Sequence, residues 1–288
     1  MDKYKRVYIE ISNICNLQCS FCPVVDRDKV ILPSNNFEKI LAQVAPITEQ
    51  VCLHLMGEPL AHPDFDSVLK ICDLNKVPTE ITTNGLMINK RSKSLLESKF
   101  LRQINFSIQS FKDNFPQKSL EDYMKPLLEF TKELNKVRPE VYVNFRLWNI
   151  GRNKTNENEE VFSILENFYH IDINRQIQVE SIKSKKIWNR VYIHFDSHFD
   201  WPSLNYPIQG EKGRCHGLGS HFGIHADGTV VPCCLDKEAV INLGNCLETD
   251  LKSVLSSDRA NKMREGFAKN ELVEDLCRRC SYINRFKN

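Results

Sequence analysis

Cys15, Cys19 and Cys22, in the run Cys-Asn-Leu-Gln-Cys-Ser-Phe-Cys, are the residues whose type and spacing speak most directly of chemistry. They follow at once on a strand-like stretch, Val7-Tyr8-Ile9-Glu10-Ile11-Ser12. Three thiolates this close on one loop can hold three irons of a 4Fe–4S cluster and leave the fourth iron open. Clusters closed by four cysteines carry electrons, whereas an open iron can bind a substrate, so the spacing points to catalysis. Zinc fits less well, because a structural zinc takes four ligands, usually as two separated pairs. Disulfides belong to exported chains, and the opening Met-Asp-Lys-Tyr-Lys-Arg is charged with no apolar signal region behind it. No stretch approaches the roughly 18 apolar residues of a membrane span. The expectation is a cytoplasmic protein, with no membrane partner and its 11 cysteines reduced.

The elements that must position these cysteines alternate. Strand-like runs fall at Val7–Ser12, Val51–Met56, Thr79–Thr82, Gln103–Ile108, Val141–Leu147 and Ile177–Glu180. Helix-like runs lie between them, at Phe37–Ala45, Asp64–Leu74, Lys90–Lys99, Leu120–Val137 and Glu159–Tyr169. Such alternation means βαβ units around a parallel sheet. The residues after each strand carry the chemistry: the cysteine loop, Met56-Gly57-Glu58-Pro59, Thr82-Thr83-Asn84-Gly85, Ser107-Ile108-Gln109-Ser110 and Arg146-Leu147-Trp148-Asn149. In parallel α/β barrels the C-terminal strand ends form the active site.

Cys-x3-Cys-x2-Cys with Phe21 before the third cysteine, and Gly57-Glu58-Pro59 after the second strand, resemble the radical S-adenosylmethionine (SAM) superfamily. The resemblance covers about residues 7 to 195 and implies a partial (β/α)6, TIM-like barrel. It implies that Cys15, Cys19 and Cys22 ligate a catalytic 4Fe–4S cluster whose open iron binds SAM, with Phe21 near the adenine. Gly57, Glu58 and Pro59 would meet the SAM amino group, which offers only donors. The usual form of that segment has a second glycine where this chain has Met56. Ser107 and Gln109 stand where residues reach the SAM ribose, and Arg146 where a planar fork could pair the SAM carboxylate; a surface ion pair is the other use for Arg146. His54 shares a strand face with Met56 and Glu58 and reads as a hydrogen-bonded core histidine, with substrate contact as the alternative. Cys52, Cys72 and Cys246 read as buried thiols.

After residue 195 the pattern changes. Residues 196–214 hold Pro202, Pro207, Gly210 and Gly213 and read as a linker. Beyond it come Cys215, a hairpin over Phe222–His225 and Thr229–Val231 turning at Asp227-Gly228 and leading to Cys233, a helix-like run at Leu251–Phe267, and Cys277-Arg278-Arg279-Cys280. Cys215, Cys233, Cys277 and Cys280 can form one closed four-thiolate site; Cys234 could replace Cys233, and zinc is the other occupant such a set suits. Cys215, Gly228-x4-Cys233 and the late Cys-x2-Cys resemble the twitch domain, the shortened form of the SPASM domain. That resemblance implies an auxiliary 4Fe–4S cluster; with the chain ending eight residues after Cys280, only one such cluster is expected. The expected layout is a barrel at 1–195, a linker at 196–214, and a small cysteine-rich hairpin and helix domain at 215–288.

The superfamily's first half-reaction is implied: an electron from a donor such as flavodoxin or ferredoxin, cleavage of SAM to a 5′-deoxyadenosyl radical, and removal of a substrate hydrogen atom. With an auxiliary cluster as electron acceptor the net result would be oxidation of a small metabolite, peptide or protein side chain. No leader-binding domain precedes Val7, which weighs against a self-sufficient peptide maturase. Residues Gly151–Asn158 read as a solvated loop, with a lid as the alternative. The net charge of +2, from 39 basic and 37 acidic residues, gives no broad footprint for nucleic acid. Modification of a tRNA or rRNA base rests on Cys-Arg-Arg-Cys and the basic tail alone. A zinc-stapled, non-catalytic binding protein is the reading outside enzymology.

Overall fold

A computed structural model describes residues 3–150, 155–175, 183–197 and 200–286. In chain order its elements are β1 (Arg6–Ile9), α1 (Ser34–Val44), β2 (Val51–Cys52), α2 (Phe65–Leu74), β3 (Thr79–Thr83), α3 (Ile88–Glu97), β4 (Leu101–Ser107), α4 (Gln109–Asn114) and α5 (Leu120–Val137). They continue with β5 (Tyr142–Ile150), α6 (Thr155–Tyr169), β6 (Ser184–Trp188), β7 (Val191–Ser197), β8 (His221–Ile224), β9 (Val230–Val231), α7 (Leu251–Leu255), α8 (Asp258–Ala268) and α9 (Asp275–Arg278). The chain divides into two compact units, each assembled from separate stretches. One comprises Met1–Cys15, Cys22–Thr79 and Phe199–Asn288; the other comprises Asn16–Phe21 and Glu80–His198. Among the described residues no helix is long and apolar enough to cross a membrane.

In the first unit the strand order is β2-β1-β8-β9. β1 is parallel to β2, with Val7 opposite Val51, and parallel to β8, with Ile9 opposite Ile224. β8 and β9 form an antiparallel hairpin. Its turn is where the sequence indicates it: Gly228 takes φ +90°, and the Asp227 carboxylate accepts the Thr229 N–H at 2.9 Å. Val7, Ile9, Phe222 and Ile224 are fully buried, and each such side chain contributes about 1.5–3 kcal/mol. The C-terminal hairpin thus extends the sheet that carries the N-terminal cysteine loop. Cys15 follows β1, and Cys233 follows β9.

β2 stops at Cys52, not at Met56 as the apolar run suggests. The Met56 N–H goes to the Glu10 carboxylate at 3.1 Å instead of to a ladder, and Gly57 turns the chain at φ +75°. The run Leu251–Phe267 is also two helices rather than one. Ser257 breaks it in extended backbone and caps the second helix by accepting the Ala260 N–H at 3.4 Å.

In the second unit the order is β6-β7-β5-β4-β3. β4, β5 and β7 are mutually parallel in succession, and β6 lies antiparallel to β7. α5 spans Leu120–Val137, the bounds read from its periodicity, and Ser119 caps it by accepting the Asp122 N–H at 3.1 Å. The expected strand Ile177–Glu180 lies outside the described residues. β7 supplies a further parallel strand that the apolar pattern did not single out, and it runs on to Ser197. Of the expected loop Gly151–Asn158, residues 151–154 lie outside the described residues, and Thr155–Asn158 form the first turn of α6 rather than a loop. Asn158 is buried there and exchanges side-chain hydrogen bonds with Asn149 at 3.0 and 3.2 Å.

Candidate active site

The cysteine loop is irregular because its backbone is spent on neighbours rather than on a ladder. In the first unit its entry is pinned by the Gly57-Glu58 turn. A Cβ on Gly57 would stand 2.2 Å from the Ser12 carbonyl oxygen, so only glycine allows this approach. The Glu58 N–H then donates to the Ile14 carbonyl at 3.0 Å. Buried Asn13 clasps the loop's far side, donating to the Asp28 carbonyl at 2.7 Å and accepting the Val30 N–H at 2.8 Å. Cys15 and Cys22 are exposed, Cys19 is partly exposed and Phe21 is half-buried.

Glu10 is the hub of the first unit. It is fully buried and takes a two-pronged ion pair from Arg27, both oxygens lying 3.0 Å from Nη2. The same carboxylate accepts the Met56 N–H at 3.1 Å and the Ala226 N–H at 3.3 Å. Arg27 reaches on through Nε to the Lys237 carbonyl at 2.6 Å. Glu238 accepts the N–H groups of Asp26 and Arg27 at 3.1 and 3.3 Å. One buried charge thereby ties the exit of the first cysteine loop to the Gly-Glu-Pro turn and to the segment after Cys233. Met56 in place of a second glycine is accommodated, since what this position supplies to Glu10 is a backbone N–H. Glu58 is 2% exposed, and its Oε1 also accepts the Leu60 N–H at 2.9 Å.

In the second unit Ser107 and Arg146 lie directly opposite each other on neighbouring parallel strands. Arg146 is no surface ion pair: its guanidinium stacks 4.6 Å from the Trp148 ring and its Nη2 lies 3.5 Å from the Glu80 carboxylate, which is buried. A cation already balanced by Glu80 has less charge to offer a ligand carboxylate. Gln109 opens α4, and its Oε1 is buried without a hydrogen-bond partner among the described residues. A ribose hydroxyl is the kind of donor that would satisfy it. The loop residues of this unit are held by the end of α4: Asp113 accepts the Ser20 N–H at 2.5 Å and its hydroxyl at 2.7 Å, and Asn114 accepts the Gln18 N–H at 2.9 Å. α4, like Glu10, Asn13 and Arg27, escaped the sequence reading, because six residues are too few to display a helical period.

His54 is half-buried and meets the Tyr8 ring edge-on at 5.7 Å. Cys52, Cys72 and Cys246 are buried thiols, and burial pushes Cys72 and Cys246 each up to about 12.

The late cysteines gather in the first unit. The point where a Gly217 Cβ would stand is 3.7 Å from both the Cys215 sulfur and the Cys233 Cβ. Burial raises the pKa of Cys215, Cys233, Cys277 and Cys280; neighbouring thiols raise Cys233, Cys277 and Cys280 further, while the backbone N–H groups of Gly217 and His216 pull Cys215 back down. Cys234 is pushed up to about 11 by burial, partly offset by a hydrogen bond with Tyr8. Four partly exposed thiols with raised pKa values are costly as bare thiolates, and the chemistry of the set suits a multi-iron cluster that shares their charge. Among the described residues no three His, Cys, Asp or Glu form a group that could hold a metal ion.

Two family models match this chain: the radical SAM superfamily over residues 9–169 and the SPASM iron–sulfur cluster-binding domain over residues 215–281. GTP 3′,8-cyclase of Limosilactobacillus fermentum is 25% identical over 83% of this chain and 83% of its own length. Among solved structures, Streptococcus suis SuiB bound to S-adenosylmethionine aligns at TM-score 0.64 and 20% identity, over 100% of this chain and 75% of that one. BtrN in complex with AdoMet and 2-DOIA aligns at TM-score 0.54 and 15% identity, over 98% and 94%. At these identities the two structures speak for the fold.

Proposed function

Because this chain belongs to the radical SAM superfamily and carries a SPASM domain, an enzyme with 4Fe–4S clusters and SAM, we propose that it oxidises a small metabolite or a peptide or protein side chain. Cys15, Cys19 and Cys22 would hold the catalytic cluster; reduced by a donor of the flavodoxin or ferredoxin class, it supplies the electron that splits SAM and so generates the hydrogen-abstracting radical. Glu58 and the turn it caps would receive the SAM amino group. Gln109 would accept a ribose hydroxyl beside Ser107, and Phe21 would pack near the adenine. Arg146 would offer its remaining donors to the SAM carboxylate while Glu80 holds its orientation. The observation that carries the oxidative reading is the set of four partly exposed thiols, Cys215, Cys233, Cys277 and Cys280, each with a raised pKa. Four protein thiolates leave no iron open for a substrate, so this centre suits an electron acceptor. The functional division at 1–195, 196–214 and 215–288 and a cytoplasmic location belong to the same proposal.

SuiB, bound to a precursor peptide in another of its structures, supports the peptide arm. The similarity to GTP 3′,8-cyclase along 83% of both chains favours a second reading, rearrangement of a purine nucleotide. The test is 5′-deoxyadenosine formation by anaerobically reconstituted protein with SAM and reductant, against GTP and against separate metabolite, peptide and RNA fractions. Stimulation by metabolites or peptides, with an oxidised product, is the expected result. Stimulation by GTP alone replaces it with the second reading, and stimulation by RNA alone with base modification.

A further inference from the structure

We propose that Asn114 raises the reduction potential of the catalytic cluster by donating a hydrogen bond to one of its ligand sulfurs. The inference rests on Cys19 being a ligand, as proposed above. Asn114 is the last residue of α4, and its Nδ2 lies 3.2 Å from the Cys19 Sγ. A long or swinging contact to sulfur would mean little, but this amide is locked at both ends. Its NH2 group also donates to the Ser110 carbonyl at 2.8 Å, and its Oδ1 accepts the Gln18 N–H at 2.9 Å. Flipping the amide would set donor against donor at Gln18 and acceptor against acceptor at Ser110. The hydrogen-bond pattern therefore assigns the nitrogen to the sulfur side.

A ligand thiolate carries negative charge that grows when the cluster accepts one electron from its external donor. An N–H aimed at that sulfur stabilises the reduced state more than the oxidised one, so the potential rises. No proton moves and no bond to the metal changes. Asn114 acts through Cys19 and is a positioning residue, not a catalytic one. Its neighbour Asp113 supplies an internal control: it binds Ser20 by backbone and hydroxyl, and its carboxylate has no N–H to offer the sulfur, so it anchors the same loop without an N–H···S bond.

The experiment is a redox titration of the reconstituted full chain, following by EPR the cluster signal that responds to SAM, with iron and sulfide content measured in parallel. Asn114→Leu removes the donor without adding charge. Asn114→Asp keeps an acceptor for Gln18 and so preserves the loop should the leucine variant fail to assemble its cluster. Both are expected to titrate at a more negative potential than wild type with iron content unchanged, while Asp113→Ala titrates with wild type. A wild-type potential in Asn114→Leu, or an equal shift in Asp113→Ala, overturns the proposal. Persistence of the SAM-responsive signal in Cys19→Ala would instead remove the ligand assignment on which it stands.

Discussion

The two groups of cysteines are built in opposite ways. Cys15 and Cys22 are exposed on an irregular loop held in place by backbone and side-chain clasps. Cys215, Cys233, Cys277 and Cys280 are each only partly exposed, and desolvation lifts all four pKa values, with neighbouring thiols adding to it at Cys233, Cys277 and Cys280. A centre that must admit a ligand needs thiolates at an accessible face and a loop whose shape does not depend on the metal. A centre that only passes electrons gains from closure, since burial shields the cluster and fixes its potential. On the proposed reading, open and closed chemistry would correspond to more exposed and less exposed thiols, with Cys15 after β1 and Cys233 after β9 of the same sheet.

This contrast can be broken most severely at the open end. Replacing Cys15 by alanine should reduce SAM cleavage to background while the auxiliary cluster keeps its EPR signal; retained 5′-deoxyadenosine formation would mean that Cys15 is not a ligand. At the closed end, Cys277→Ala/Cys280→Ala should still cleave SAM at a slow, unstimulated rate yet lose substrate oxidation. Wild-type product yield from that variant would remove the electron-acceptor role.

Smaller effects test the scaffold that both groups share. Arg27→Ala leaves the Glu10 carboxylate buried without its cation and should cost about 3 kcal/mol in denaturant unfolding, with Glu10→Gln/Arg27→Ala recovering part of it. Gly57→Ala forces a side chain into the left-handed region and against the Ser12 carbonyl. The expected loss is about 2 kcal/mol, with a raised KM for SAM that an equally destabilising core substitution would not produce. The smallest effect is on pH. Burial lowers His221 from 6.5 to about 4, so the unfolded chain binds a proton there before the folded one does. Stability present above pH 6.5 should then fall as the pH drops towards 4, by about 1 kcal/mol between pH 6.5 and 5.5. His221→Gln should flatten that limb in urea titrations.

How much could be read beforehand follows from which signals are local. The cysteine spacing, the Gly-Glu-Pro turn, the Asp227-Gly228 hairpin and α5 lie in contiguous residues whose types act on their neighbours, and the alternation of apolar runs displays the α/β order. Short elements carry less. α4 has six residues, and β2 ends where a carboxylate from another segment captures the Met56 N–H. The break at Ser256-Ser257 is a contest between helix propensity and a cap, in which the apolar period misleads.

What the sequence alone determined is the chemistry: which residues can hold iron and how they are spaced, because ligand type and loop length are covalent facts. The tertiary structure decided which side chains hold those residues in place. Glu10 finds Arg27 and the N–H groups of Met56 and Ala226, the last 216 positions away, and Asn114 finds Cys19 across 95 positions. Such partners share no local pattern. Burial selects them, because a charge or amide withdrawn from water must be satisfied by whatever the fold brings beside it.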